Sequence, residues 1–123
     1  MSRQLLIIDD DSRNIFALKA TLQASGYEVL SALSAEEGLS LLHNNSGSIS
    51  AILLDMMMPG MDGYQALSRI RSTEDGASML VIAVTAQAMK GDKEKCIAAG
   101  ANDYIAKPID VDVLLHKLKE LDA

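Results

Sequence analysis

Side chains that can bind a cation or a phosphoryl group follow four short apolar runs of the sequence. Asp9-Asp10-Asp11 comes directly after the first run, and Asp55 comes directly after the third. Thr85 follows the fourth run, and Lys107-Pro108 follows the fifth. Taken singly, such residues are often only helix caps or turns. Because polar side chains of this kind follow four of the five runs, they indicate a shared site.

Carboxylates placed close together limit the chemistry that such a site can perform. Two of them about 5 Å apart repel by roughly 3 kcal/mol at an effective dielectric constant of about 20. A group of carboxylates therefore raises its own pKa values or binds a cation. Oxygen ligands around an open pocket suit Mg²⁺, which keeps several waters and contacts substrate phosphate. With a lysine and a hydroxyl nearby, the set is typical of phosphoryl transfer, with a carboxylate as nucleophile.

The elements that must position these residues alternate along the chain. Five short apolar runs are separated by helical patterns, which indicates βαβ units around a parallel sheet. Three of the runs are continuously apolar, as is typical of strands with helices on both faces. The predicted strands are residues 5–8, 27–30, 51–54, 80–84 and 104–106.

Helix signals fill the intervening segments and the C-terminal region. Ile15, Leu18 and Leu22 share one face of the first predicted helix. The predicted N-caps are Asp11 or Ser12, Ser34, Asp62 and Asp110, and glycines at positions 26 and 100 are predicted to end helices.

A chain of 123 residues predicts a single domain over residues 1–123. Five strands and five helices in alternation favour an α/β fold with a doubly wound five-stranded parallel sheet of flavodoxin-like order 2-1-3-4-5. Ligands of such sheets bind beyond the carboxyl ends of the strands. We therefore expect Asp10, Asp55, Thr85 and Lys107 to meet at one edge.

Composition excludes several classes of partner. The net charge of −6 argues against direct nucleic-acid binding, which requires clustered Lys and Arg. Cys96 is the single cysteine, so no internal disulfide can form. No apolar run approaches the roughly 20 residues of a membrane span, and a cytoplasmic location is expected.

Four motifs together resemble the receiver domain of two-component response regulators. They are residues 8–11 (IDDD), 54–63 (LDMMMPGMDG), 84–86 (VTA) and 104–108 (YIAKP). The resemblance extends from the first predicted strand to the last predicted helix. Residues 85–92 (TAQAMKGD) look most like receivers of hybrid histidine kinases.

The resemblance implies a role for each acidic residue of the motifs. Asp55 would accept a phosphoryl group from the phosphohistidine of a histidine kinase or histidine phosphotransfer domain. Asp10 and Asp55 would bind Mg²⁺ directly, and the main-chain carbonyl of Met57 would be a third ligand. Asp9 would hold a metal-bound water or the metal itself.

The same resemblance implies a switch. Lys107 would pair with the phosphoryl oxygens, and Thr85 would donate its hydroxyl to them. Movement of Thr85 would let Tyr104 turn inward and change the surface of the fourth and fifth strands. A cis peptide is expected at Lys107-Pro108. Such a domain catalyses only its own phosphorylation and dephosphorylation and is not otherwise an enzyme.

The lifetime of the phosphorylated state is predicted from two positions that flank the attacking water. Met57 stands two residues after Asp55, and Gln87 stands two residues after Thr85. A thioether cannot orient water, whereas the amide of Gln87 can. We expect slow to intermediate self-hydrolysis.

Three other functions fit the sequence less well. In an aspartate-nucleophile phosphatase, Asp9 would be the nucleophile and Asp11 the acid-base, but Arg13 stands where a small β-branched residue belongs. A non-phosphorylated interaction module would have no need of Asp10, Asp55, Thr85 and Lys107. A flavin or dinucleotide binder requires a Gly-rich loop after the first strand, and none is present.

Overall fold

The fold is a five-stranded parallel sheet covered by helices on both faces. The computed structural model describes residues 3–45, 47–58, 63–85 and 91–122. The strands lie in the order β2-β1-β3-β4-β5, which confirms the predicted doubly wound topology. They are β1 Arg3–Ile8, β2 Tyr27–Ala32, β3 Ile49–Asp55, β4 Leu80–Thr85 and β5 Asp103–Ala106.

The helices follow the strands in alternation, as the sequence predicts. They are α1 Ser12–Ala24, α2 Ala35–Asn44, α3 Gly63–Ser72, α4 Asp92–Ala98 and α5 Val111–Asp122. Buried residues of α1 and α5 pack on one face of the sheet, and those of α2, α3 and α4 pack on the other. Both layers are mainly aliphatic. Because β3 lies at the centre of the sheet between them, it is buried along nearly its whole length. The described helices include none that is long and apolar enough to cross a membrane.

The helix ends use the predicted capping residues. The Asp11 carboxylate accepts hydrogen bonds from the first turn of α1, the Ser34 hydroxyl accepts one from Glu37 N–H, and Asp110 caps α5. Glycines 26 and 100 both have positive φ, as predicted for left-handed C-terminal caps. The predicted cap Asp62 lies outside the described residues.

Strand register brings the ends of the strands level with one another. Ile8 pairs with Leu54, so the next residues, Asp9 and Asp55, lie side by side beyond β1 and at the end of β3. Thr85 pairs with Ala106, and these residues end β4 and β5. Lys107, the residue after β5, therefore lies just beyond the level at which β4 ends. β2 runs two residues further than predicted, to Ala32, whose carbonyl accepts a hydrogen bond from Asp9 N–H.

Candidate functional site

Three carboxylates converge at the carboxyl end of the sheet. Oxygen atoms of Asp9, Asp10 and Asp55 all lie within 4.8 Å of one another. Asp9 and Asp55 are each 3% exposed, whereas Asp10 faces solvent. The site is therefore closed on the protein side and open on one side, where Asp10 stands.

Lys107 balances part of this negative charge. Its Nζ lies 3.3 Å from Oδ2 of Asp55 and 3.6 Å from Oδ2 of Asp9. Its peptide bond to Pro108 is cis, as predicted. One lysine thus contacts two buried carboxylates, one just after β1 and one at the end of β3.

The loop after β3 fixes the orientation of Asp55. The backbone N–H of Met57 donates to Oδ1 of Asp55 at 2.9 Å, and Gly63 N–H donates to the carbonyl of Met56 at 3.2 Å. A Cβ at Gly63 would lie 2.2 Å from Cα of Met56, a distance that real structures do not show. Glycine at this position lets the start of α3 approach the backbone next to Asp55.

Asp9 is held by groups that the sequence motifs do not indicate. Asp11 N–H donates to Oδ1 of Asp9 at 2.9 Å, and Nδ2 of Asn14 donates to Oδ2 at 2.7 Å. Asn14 lies in the first turn of α1, five residues after Asp9. A hydrogen-bonding side chain in the turn that follows a strand-end aspartate was the available signal.

The pKa values of Asp55 and Lys107 reflect both burial and the charges around them. Burial raises the pKa of Asp55, and the charge of Asp9 adds to the rise, against hydrogen bonding from Met57 N–H and the attraction of Lys107. Burial by itself lowers the pKa of Lys107, but Asp55 and Asp9 outweigh it, so the pKa of that lysine is raised. The pKa of Asp55 is thus raised by burial even with Lys107 in place.

The donor set fits Mg²⁺. All three candidate side chains offer carboxylate oxygen, the ligand type that this ion prefers, and the exposed side leaves room for water and phosphate. A divalent cation would offset the repulsion between Asp9 and Asp55, which adds to the rise that burial causes in the pKa of Asp55.

The two predicted switch residues lie on neighbouring strands. Thr85 ends β4 and is 7% exposed, and its carbonyl accepts a hydrogen bond of 2.7 Å from Lys107 N–H. Tyr104 lies in β5, is partly buried and packs against the core layer of α2, α3 and α4. Gln87, predicted to flank the attacking water, and residues 59–62 of the motif after β3 lie outside the described part of the chain.

Burial and capping contacts describe the remaining residues near the site. The Met57 side chain is 63% exposed, whereas Met56 and Met58 are buried in the hydrophobic core. Cys96 is completely buried. The carboxylate of Asp11 serves the N-terminus of α1, so it already has the structural role that the capping pattern predicts.

Comparisons with known proteins agree on one family. A family model described as response regulator receiver domain matches residues 5–119. Hybrid signal transduction histidine kinase L of Dictyostelium discoideum is 43% identical over 110 residues, covering 86% of this chain. The chain spans 6% of that kinase's length.

Solved structures agree in fold and length. A putative response regulator from Chloroflexus aurantiacus is 35% identical, has a TM-score of 0.90 and covers 98% of both chains. The receiver domain of the sensor histidine kinase PA1611 from Pseudomonas aeruginosa is 33% identical with a TM-score of 0.82, covering 98% of this chain and 97% of that one. That structure contains a magnesium ion coordinated in its active-site cleft.

Proposed function

This chain belongs to the response regulator receiver domain family, and we propose that residues 1–123 form one receiver domain that is phosphorylated on Asp55 in a Mg²⁺-dependent reaction. The observation that carries the proposal is the contact of Lys107 with the buried Asp55 carboxylate, beside two further carboxylates. A lysine and an acidic cation site around one nucleophilic carboxylate are the parts that phosphoryl transfer requires.

Asp55 is suited to act as the nucleophile. Burial and the charge of Asp9 raise its pKa, so its oxygens are more basic than those of a solvated aspartate. In the transfer, an oxygen of Asp55 forms a bond to phosphorus while the bond from phosphorus to the donor's histidine nitrogen breaks. The leaving imidazole keeps the electron pair of that bond. Lys107 then exchanges its contact with Asp55 Oδ2 for the new phosphoryl oxygens, to which the hydroxyl of Thr85 also donates.

The cation would be held by Asp10 and Asp55 directly, by the main-chain carbonyl of Met57, and by Asp9 through a water or directly. Mg²⁺ supplies positive charge that offsets the repulsion between these carboxylates and the incoming phosphoryl group. The fit of the carboxylate cluster to a hard cation supports this assignment.

A groove beside the site offers a place for the phosphodonor. Its volume is about 490 Å³, and α1 forms one wall while residues 107–111 form the other. Asp11 and Lys107 line the groove, and Lys107 also contacts Asp55. A histidine-bearing helix of a kinase or phosphotransfer domain lying here would present its phosphohistidine to Asp55.

The output proposed for the phosphorylated state is a change at the surface of β4 and β5. The phosphoryl group adds negative charge next to the end of β4, where Thr85 stands. Because Lys107 N–H donates to the Thr85 carbonyl, the ends of β4 and β5 are joined by a hydrogen bond, and a shift of Thr85 would extend to the strand that carries Tyr104.

The test is phosphorylation by a small-molecule acyl phosphate with Mg²⁺, followed by intact mass. Wild type and the matched control Asp112→Asn, whose side chain is exposed on α5, should both gain the mass of one phosphoryl group. Asp55→Asn should gain none, and chelation of Mg²⁺ should abolish the gain in wild type. An equal gain in Asp55→Asn would contradict the proposal.

The same samples separate the other functions. Sustained turnover of a generic phosphomonoester would instead support an aspartate-nucleophile phosphatase. No mass gain in wild type, with either an acyl phosphate or a phosphorylated histidine donor, would support an interaction module without phosphorylation.

A further inference from the structure

The buried carboxylate of Asp9 has a defined partner for each oxygen. Oδ1 accepts from the backbone N–H of Asp11 at 2.9 Å, and Oδ2 accepts from Nδ2 of Asn14 at 2.7 Å. Lys107 Nζ is 3.6 Å from the same Oδ2, longer than a hydrogen bond, and is nearer to Asp55. The amide of Asn14 is therefore the closer of these two donors to Oδ2.

The backbone of Asn14 is held by the N-terminal cap of α1, independently of the side-chain contact with Asp9. Its backbone N–H donates to Oδ1 of Asp11 at 3.4 Å, within the capped first turn of α1. A carboxylate accepts only, so the end of the Asn14 side chain that faces Asp9 must be its NH₂ group. The side chain also lines the groove between α1 and residues 107–111.

We propose that Asn14 is a positioning residue that holds Asp9 in the orientation required for Mg²⁺ binding. This proposal rests on the proposed function, because it assigns a role toward the same cation site. Groups that orient a metal-binding side chain, although they do not touch the metal, commonly affect metal affinity strongly. A neutral amide can do this without adding a positive charge that competes with the cation.

The importance of Asn14 increases when Asp55 is phosphorylated. Lys107 then turns to the phosphoryl oxygens, and its attraction for Asp9 weakens. The hydrogen bond from Asn14 does not depend on the phosphoryl group, since it comes from α1. Asp9 therefore keeps its orientation in both states of the domain.

The test is calorimetric titration with Mg²⁺ of the unphosphorylated protein. Asn14→Ala and Asn14→Ser, neither of which can reach Asp9 with an amide, should each raise the Kd for Mg²⁺ by about 10-fold. Asn44→Ala, an exposed asparagine on α2, is the matched control and should leave the Kd unchanged. Unchanged Kd values in both Asn14 variants would overturn the proposal.

A double-mutant cycle shows whether Asn14 acts through Asp9. In the Asp9→Ala background, Asn14→Ala should change the Kd by less than about 2-fold, because the carboxylate that it positions is gone. An undiminished 10-fold loss in that background would also overturn the proposal. Thermal unfolding in a chelator checks that each variant is folded, and a purely structural role would lower that stability without changing the Kd.

Failure of this inference is distinguishable from failure of the proposed function. Wild type that binds Mg²⁺ and becomes phosphorylated, together with Asn14 variants that bind Mg²⁺ equally well, refutes the role of Asn14 alone. Wild type that neither binds Mg²⁺ nor gains a phosphoryl group refutes the proposed function itself.

Discussion

Charged groups are gathered at both edges of the sheet, but in opposite ways. At the carboxyl edge, Asp9, Asp10 and Asp55 face one another with Lys107 between two of them. At the amino edge, the guanidinium of Arg71 is surrounded by neutral oxygen atoms. We call this second group the arginine cluster; it consists of Arg71, Gly76, Met79, Gly100 and Asn102.

The arginine cluster joins three segments of the chain. Arg71 lies in the last turn of α3, and its acceptors lie in the loops that lead into β4 and β5. Nε and Nη2 both donate to the Gly100 carbonyl, at 2.9 and 2.7 Å, and Nη1 donates to the carbonyls of Gly76 and Met79. Nη2 also donates to Oδ1 of Asn102, which in turn accepts from Val81 N–H.

The difference between the two groups lies in how the charge is compensated. Neutral carbonyl dipoles surround Arg71, and although burial lowers its pKa, each of its donating nitrogens has a partner. The carboxylates instead face like charges that Lys107 offsets only in part, so a bound cation would stabilise their arrangement further. We infer that the arginine cluster stabilises the fold, whereas the carboxylate site lowers the stability of the metal-free fold and allows a cation to bind.

Removal of Arg71 should have the largest effect. Arg71→Ala removes the side-chain donor that the carbonyls of three loop residues share, and we expect a loss of about 3 kcal/mol in the free energy of unfolding. Arg69→Ala, an exposed arginine on the same helix, is the control and should change it by less than about 0.5 kcal/mol. Urea denaturation of both variants measures the difference. Equal stabilities would mean that the arginine cluster contributes little.

The fold could be predicted because its signals are local. Continuous apolar runs predicted the strands, capping residues such as Ser34 and Asp110 predicted helix starts, and the alternation left few topologies. The arginine cluster was not predicted, because its acceptors are mostly backbone carbonyls. Every residue has a backbone carbonyl, so the sequence does not show which carbonyls an arginine near a helix end will contact.

Mg²⁺ should stabilise the protein by an amount second only to that of Arg71. At a concentration 100 times the Kd, a ligand that binds only the folded state contributes about 2.7 kcal/mol. Because the two charged groups lie at opposite edges of the sheet, Arg71→Ala should show the same increment as wild type. Asp10→Asn should show a smaller increment, since it removes one of the carboxylates that we propose bind the cation. Urea denaturation with and without Mg²⁺ measures each increment, and a lost increment in Arg71→Ala would show that the edges are coupled.

The candidate site could be predicted in part, for a related reason. Asp9, Asp10, Asp55 and Lys107 were found because parallel strands bring their carboxyl ends together. Asn14 was not found, because its contact with Asp9 depends on the geometry of one capped turn rather than on strand order. A sequence thus identifies groups at strand ends more readily than the residues that orient them.

The smallest expected effect is also the sharpest test of the contrast, because it has the opposite sign. In a chelator at neutral pH, Asp55→Asn should raise the free energy of unfolding, by about 1 kcal/mol. Burial raises the pKa of Asp55, and its charge faces Asp9, so a neutral amide of the same shape suits the empty site better even though the attraction of Lys107 is lost. Asp112→Asn, the exposed control, should change it by less than about 0.5 kcal/mol.

The pH dependence of this gain follows from the direction of the pKa shift. A carboxyl group whose pKa is higher in the folded than in the unfolded state destabilises the fold while it is ionised in both. Asp55 therefore costs wild type stability at neutral pH, and that cost disappears as the pH falls through its raised folded-state pKa. The advantage of Asp55→Asn over wild type should shrink over the same range, which urea denaturation at a series of pH values would show. Saturating Mg²⁺ should reverse the order of the two proteins at neutral pH, since the charge that destabilises the metal-free site is the one that we propose binds the cation. An Asp55→Asn variant that is less stable than wild type in the chelator would mean that Lys107 already compensates the carboxylates fully.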